Sequence, residues 1–316
     1  MNRKIYLWGI ATIIALFFAS CSQTEPENSS NEAEVTFTLG IENAIATRAI
    51  SDGTGANQIT FAIFNEDGTE IFTPKTSRTI SGNQLLKGVE IKATLVKGNT
   101  YKACFWAQNS NCTAYSISED MKVTINYEGL NNDETRDAFF AVSEPFTVNN
   151  NLSQDVILKR PFAQVNVGAY EYDYTYAKEN KLNVTLSSAT ITDVPSVINL
   201  YDGSVSQPVN VEYTLNNIPT GDNEKLHVDV NKDGEKEYYR YLSMCYILAD
   251  PVGSTHTMSF KFKDVENDKL VGFSEGLENV PTKRNWRTNL VGQILTGPAN
   301  FLVIIDPTYD GEINLQ

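Results

Sequence analysis

From Val35 onward, apolar side chains recur at every second position. Val35, Phe37, Leu39 and Ile41 alternate with Thr36, Thr38 and Gly40, the pattern of a strand with one buried face. Residues 59–64 and 69–72 are strand-like runs on either side of Asn65-Glu66-Asp67-Gly68, and an Asp-Gly pair in that setting predicts a hairpin. Further strands are predicted at 101–106, 121–127 and 155–158. Pro161 then interrupts, because it has no N–H for a ladder and pushes Arg160 toward extended geometry. A second series follows at 162–167, 182–186, 209–215, 226–230, 238–242, 256–262, 286–295 and 301–305. No run of a dozen residues carries a helical stripe, although 133–139 suits one or two turns. Strands at this spacing, punctuated by Gly, Pro, Asn and Asp, predict an all-β chain of two tandem β-sandwiches.

The pattern ahead of Val35 is different. Arg3 and Lys4 precede an apolar stretch over 5–18, which ends in Ala19, Ser20 and Cys21. This is the layout of a cleaved export signal. About 14 apolar residues are too few for a spanning helix, which needs roughly 20. A cysteine directly after small residues resembles a bacterial lipobox, and that resemblance implies a diacylated Cys21 as the mature N-terminus. The acyl chains would hold the protein on a membrane. Residues 22–34 are polar throughout and cannot offset the entropy of ordering, so they are expected to form a disordered tether. The expected divisions are a signal at 1–20, the tether at 21–34, an N-terminal sandwich at 35–158 and a C-terminal sandwich at 159–316.

Charge narrows the partners. Lys plus Arg number 25 against 39 for Asp plus Glu, a net charge of −14 that disfavours nucleic acid. With Cys21 assigned to lipid, Cys104, Cys112 and Cys245 remain, an odd set that is not a full disulfide framework. Cys104 and Cys112 are open to two readings, a bridge in an oxidising compartment or buried thiols. No Cys-x-x-Cys pair supports zinc.

Candidate chemistry is sparse. Gly272-Phe273-Ser274-Glu275-Gly276 spells a nucleophile elbow, but no helix start follows it and both histidines, His227 and His256, precede it. Asp229 to Gly234 begins like a calcium loop, yet Arg240 stands where the closing glutamate belongs, and a hairpin turn fits better. Tyr170, Tyr172, Tyr174 and Tyr176 are read as one face of an extended segment, suited either to stacking on sugar rings or to packing within a sandwich. No cofactor, metal or enzymatic activity is expected.

Several blocks resemble the fimbrillin (type V pilin) superfamily of Bacteroidales lipoproteins. They are Leu158-Lys159-Arg160-Pro161-Phe162-Ala163-Gln164-Val165-Asn166-Val167, Lys283-Arg284-Asn285-Trp286-Arg287-Thr288-Asn289-Leu290-Val291-Gly292, and Phe301-Leu302-Val303-Ile304-Ile305-Asp306-Pro307. Residues 101–108 and Arg136-Asp137-Ala138-Phe139-Phe140-Ala141 are similar to further blocks. The resemblance implies two transthyretin-like β-sandwiches on an outer-membrane lipoprotein exposed at the cell surface. It also implies pilus assembly by strand exchange, in which an arginine-specific protease removes the first strand and a neighbour's C-terminal strand fills the groove. Arg48 and Ala49 match the expected cut position. The partners implied are the outer membrane and other pilin subunits, with surface glycans or proteins as adhesion targets. The competing expectation is a permanently anchored glycan-binding lipoprotein that uses the tyrosine row.

Overall fold

In the computed structural model, which describes residues 31–41, 50, 52–81 and 83–307, the period-two runs are strands. The first series comprises β1 (Glu32–Ile41), β2 (Gln58–Asn65), β3 (Ile71–Thr79), β4 (Val89–Val96), β5 (Thr100–Gln108), β6 (Tyr115–Ile117), β7 (Lys122–Ile125), β8 (Phe139–Val142), β9 (Phe146–Thr147) and β10 (Leu152–Leu158). After β11 (Phe162–Ala169) comes a helix, α1 (Glu171–Glu179). The chain continues through β12 (Leu186–Asn199), β13 (Val205–Asn217), β14 (Lys225–Val228), β15 (Glu237–Leu248), β16 (Ser254–Asp264), β17 (Lys269–Thr282), β18 (Arg287–Gln293) and β19 (Asn300–Asp306).

The strands form two face-to-face pairs of sheets. In the first sandwich, the sheet β10-β1-β4 packs on β3-β2-β5-β8, with β9 also on β5. The second joins β14-β15-β11-β18-β19 to β17-β16-β12-β7-β6, with β13 on the free side of β12. The all-β sandwich fold expected from the pattern is therefore what forms. The hairpin β6–β7 completes a sheet of the second sandwich although it precedes β8–β10 in the chain. Both sandwiches share a plan. The opening strand sits between an antiparallel neighbour and a parallel one, β1 between β4 and β10, and β11 between β15 and β18.

The apolar run of β5 serves two cores. Tyr101, Ala103 and Phe105 face the first core, while Cys104 and Trp106 face the second. Ala62 and Phe64 of β2 join them there, so this sheet is covered on both faces and the sandwiches share a wall. Trp106 meets Tyr115 and Phe162 edge-on, at 5.2 and 6.3 Å between ring centroids.

Three sequence expectations are corrected. β1 begins at Glu32, three residues into the polar tether, because Ala33 is small enough to bury and Glu32 and Glu34 point outward. Residues 182–185 precede β12 as irregular chain, with Thr185 bonded to Lys263 and Ile218 just ahead of the ladder. The tyrosine segment is the helix α1 rather than an extended row. β4, β6, β8, β9 and β17, and β12 beyond Leu186, match no expected strand; the alternation of Val89, Ile91 and Leu95 was legible, that of β17 was not.

Candidate functional site

β1 is paired along both edges and buries one face. Val35, Phe37 and Leu39 are fully buried, with Phe37 edge-on to Phe105 at 5.2 Å and to Phe146 at 5.6 Å. It pairs with β10 from Val35 to Ile41 and with β4 from Glu32 to Leu39. Withdrawing it leaves β4 and β10 separated by roughly 9–10 Å, two ladder spacings, above an apolar floor. Ile50, the next described residue, is already in the core of the second sandwich. Arg48, Ala49 and Cys21 lie outside the described residues.

β19 is the counterpart at the other end. Among the described residues it pairs with β18 alone, and none of them forms a strand in the equivalent place beside β10. Its sequence is apolar from Phe301 to Ile305, yet none of its residues is buried, and Leu302 and Val303 are 46% and 40% exposed. An apolar edge strand held on one side is a pairing element.

Three of the sequence blocks converge on the junction between the sandwiches. Arg160 donates through Nε to Asp137 Oδ1 at 2.7 Å and through Nη2 to Oδ2 at 2.9 Å, a bidentate pair buried on both sides. Its guanidinium lies 4.5 Å from the Phe139 ring centroid, and its backbone N–H donates to Asn285 Oδ1 at 3.2 Å. Arg284 donates to the carbonyls of Ala249 and Gly203 and stacks 5.1 Å from Phe140. Burial lowers the Arg284 pKa, and Asp250 partly offsets this. Gly203 has φ +73°, and a Cβ there would stand 3.1 Å from Arg284 Nη1, so glycine suits both the turn and the contact. These blocks fix the junction rather than line a cleft.

The tyrosines spread around α1, because residues two apart on a helix point in opposing directions. Glu171 and Asp173 in the first turn and Lys178 in the last favour the helix through its dipole, a local signal that the alternating tyrosines mask. Tyr174 is buried, with the Arg240 guanidinium 4.5 Å from its ring. Tyr172 and Tyr176, one turn apart, are 62% and 57% exposed. Tyr170 caps the helix and stacks on Tyr172 at 5.2 Å and 14°. Asp173 went unremarked in the sequence. It is fully buried and accepts the N–H groups of Ile294 (2.7 Å), Leu295 (2.8 Å) and Thr296 (3.0 Å), plus the Thr296 hydroxyl, in the loop between β18 and β19.

The remaining motifs fall into structural places. Gly272 to Gly276 lies within β17, without the strand–turn–helix that an elbow requires. Asp229 takes the N–H groups of Asp233 and Gly234, closing the β14–β15 turn. Cys104, Cys112 and Cys245 are free buried thiols, and burial pushes Cys104 and Cys245 up to about 12.

His256 is held by Thr192 O at 2.9 Å and by the hydroxyls of Ser254 and Thr282 at 3.0 Å. Desolvation lowers its pKa, as it does for His227. The unfolded chain binds a proton near pH 6.5 while the folded chain resists it, so acid favours unfolding. The stabilising effect is complete above about pH 6.5 and is lost as pH falls toward the folded values. His256→Gln is expected to flatten the drop in urea midpoint between pH 7.5 and 5.5; an unchanged slope would remove His256 as its source.

The fold and these features define an all-β protein of two coupled sandwiches whose distinctive parts are strands at its ends. The chain belongs to a family of unknown function, DUF6562, whose model matches residues 26–316. No curated protein matches it. Solved structures similar to it include a candidate cell adhesion protein from Bacteroides uniformis, at 12% identity and TM-score 0.49, covering 88% of this chain and 100% of that one. A candidate polysaccharide-binding protein from Bacteroides thetaiotaomicron has 9% identity and TM-score 0.48, covering 82% and 90%. The fimbrial anchor protein from Porphyromonas gingivalis has 12% identity and TM-score 0.44, covering 87% and 96%.

Proposed function

We propose that this is a fimbrillin-like surface lipoprotein, anchored through Cys21, that joins a pilus by strand exchange and serves adhesion. The observation that carries this reading is β1, an opening strand with a fully buried face and a paired partner on each side. Cutting after Arg48 would discard lipid, tether and β1 together. The vacated slot then offers two unpaired edges and an apolar floor, which an extended apolar strand such as a neighbour's β19 satisfies. Treatment with an arginine-specific protease is expected to give a ladder of multimers on an unboiled gel, and Arg48→Ala should abolish it. Clean monomer from the cut wild-type protein would sink the proposal.

Tyr172 and Tyr176 favour a second reading, a glycan-binding platform on an uncut and permanently anchored protein. Two exposed rings one helical turn apart can stack on successive sugars. Titration calorimetry against a panel of oligosaccharides should show heats that vanish in Tyr172→Ala with Tyr176→Ala; flat traces across the panel remove this reading.

A further inference from the structure

The outer edge of β13 carries a separate surface. Among the described residues the only strand that pairs with β13 is β12, and Pro208 stands directly opposite Pro195. Neither proline has an N–H, so this is a non-hydrogen-bonded pair whose backbone groups point away from the ladder. Asn210 and Glu212 follow at steps of two, so their N–H and C=O groups face the same outer side. Two residues further on, Thr214 uses that side. Its N–H donates to Gly129 O at 2.9 Å and its carbonyl accepts from Asn131 N at 3.0 Å, in a single parallel bridge. The ladder stops there. Among the described residues nothing bonds to the outward backbone groups of Asn210 or Glu212.

The chain ahead of Gly129 turns away from this edge and leaves a groove of about 650 Å³, lined by Asn126, Glu128, Ser196, Val209, Asn210 and Glu212 among others. Its far wall is held firmly. Arg136 donates to the carbonyls of Asn126 and Glu128, both at 2.9 Å, and lies 5.2 Å from the Tyr213 ring centroid. The Arg136 charge is itself met by Asp133 at 3.6 Å. Glu128 and Glu212 form no ion pair among the described residues, and no Lys, Arg or His lines the groove.

We infer that this groove accepts a short extended segment of another protein, rich in lysine or arginine, which adds to β13 as a strand. The unpaired edge selects an extended backbone, and the two carboxylates select positive charge. Charge also argues against a second copy of this chain as the occupant. Its net charge is −14, and its apolar end strand β19 closes on Asp306 with Asp310 and Glu312 following in the sequence. The inference is independent of strand exchange at β1.

The test uses the uncut chain and a peptide of about nine residues alternating lysine and valine, long enough to span the open stretch. A glutamate–valine peptide is the control. Amide exchange at Asn210 and Glu212 is expected to slow several-fold with the lysine peptide and not with the control. Glu128→Gln with Glu212→Gln should weaken binding about tenfold and flatten its salt dependence. Asn210→Pro removes one outward N–H at an edge position that tolerates proline, and should abolish the protection while the protein stays folded by circular dichroism. Equal binding of both peptides, undiminished binding by Asn210→Pro, protection elsewhere than β13, or protection arising from self-association without peptide would each overturn the inference.

Discussion

Asp137→Ala is expected to destabilise the protein by about 3 kcal/mol or more, the usual cost of breaking one side of a buried ion pair. Asp137 and Arg160 are both buried, and two N–H groups of the guanidinium point at the two carboxylate oxygens. The loss acts on the wall the sandwiches share, since Arg160 lies against Phe139 and precedes β11, while Asp137 precedes β8. Adding Arg160→Met should recover part of the loss, because an apolar side chain suits that site better than a cation without its carboxylate. The Lys92–Glu34 pair, half-exposed on both sides, is the control, and Glu34→Ala should leave the midpoint unmoved. Urea unfolding of all four proteins decides the matter. An Asp137→Ala midpoint as unmoved as that of Glu34→Ala would show that the junction does not depend on this pair.

The pair also shows where the sequence was readable and where it was not. The blocks around residues 136–141, 158–167 and 283–292 stood out as motifs, yet their meaning lay in contacts more than a hundred residues apart, such as Arg160 with Asn285. Period-two alternation revealed β1 because one face is buried and the other wet, whereas the β2–β3 hairpin was marked by its Asp-Gly turn. It could not separate the two faces of β5, where both are covered and the run reads as uniformly apolar. The same period misled at Tyr170 to Tyr176. There, tertiary packing of Tyr174 and Ala177 and the dipole match of Glu171 and Lys178 outweigh an alternation that carries no burial information. The free edge of β13 was invisible for a similar reason. Val209 to Leu215 reads as a strand, but nothing in it says that only one side is paired.

Asp173→Ala is expected to cost about 3 kcal/mol and, more tellingly, to loosen one hairpin selectively. The carboxylate is fully buried, and the acceptors it offers are taken by three backbone N–H groups and one hydroxyl of a single loop, Ile294 to Thr296. Charge-assisted bonds of this kind are roughly twice as strong as neutral ones, and removing the acceptor leaves N–H groups buried without partners. That loop joins β18 to β19, so α1 holds the hairpin at its closed end while the β18–β19 ladder holds it along its length. β19 contributes little core of its own, since none of its residues is buried. Loss of the Asp173 contacts should therefore raise amide exchange across Phe301 to Ile305 well before it affects β11 or β15, which are buried along nearly their whole length. Under the strand-exchange reading the same variant should also assemble faster after protease treatment, because its donor strand is freed at lower cost. The two readouts separate cleanly. Faster exchange without faster assembly keeps Asp173 as the anchor of the hairpin and counts against β19 as donor. Unchanged exchange in β19 would show that the ladder to β18 alone holds the strand.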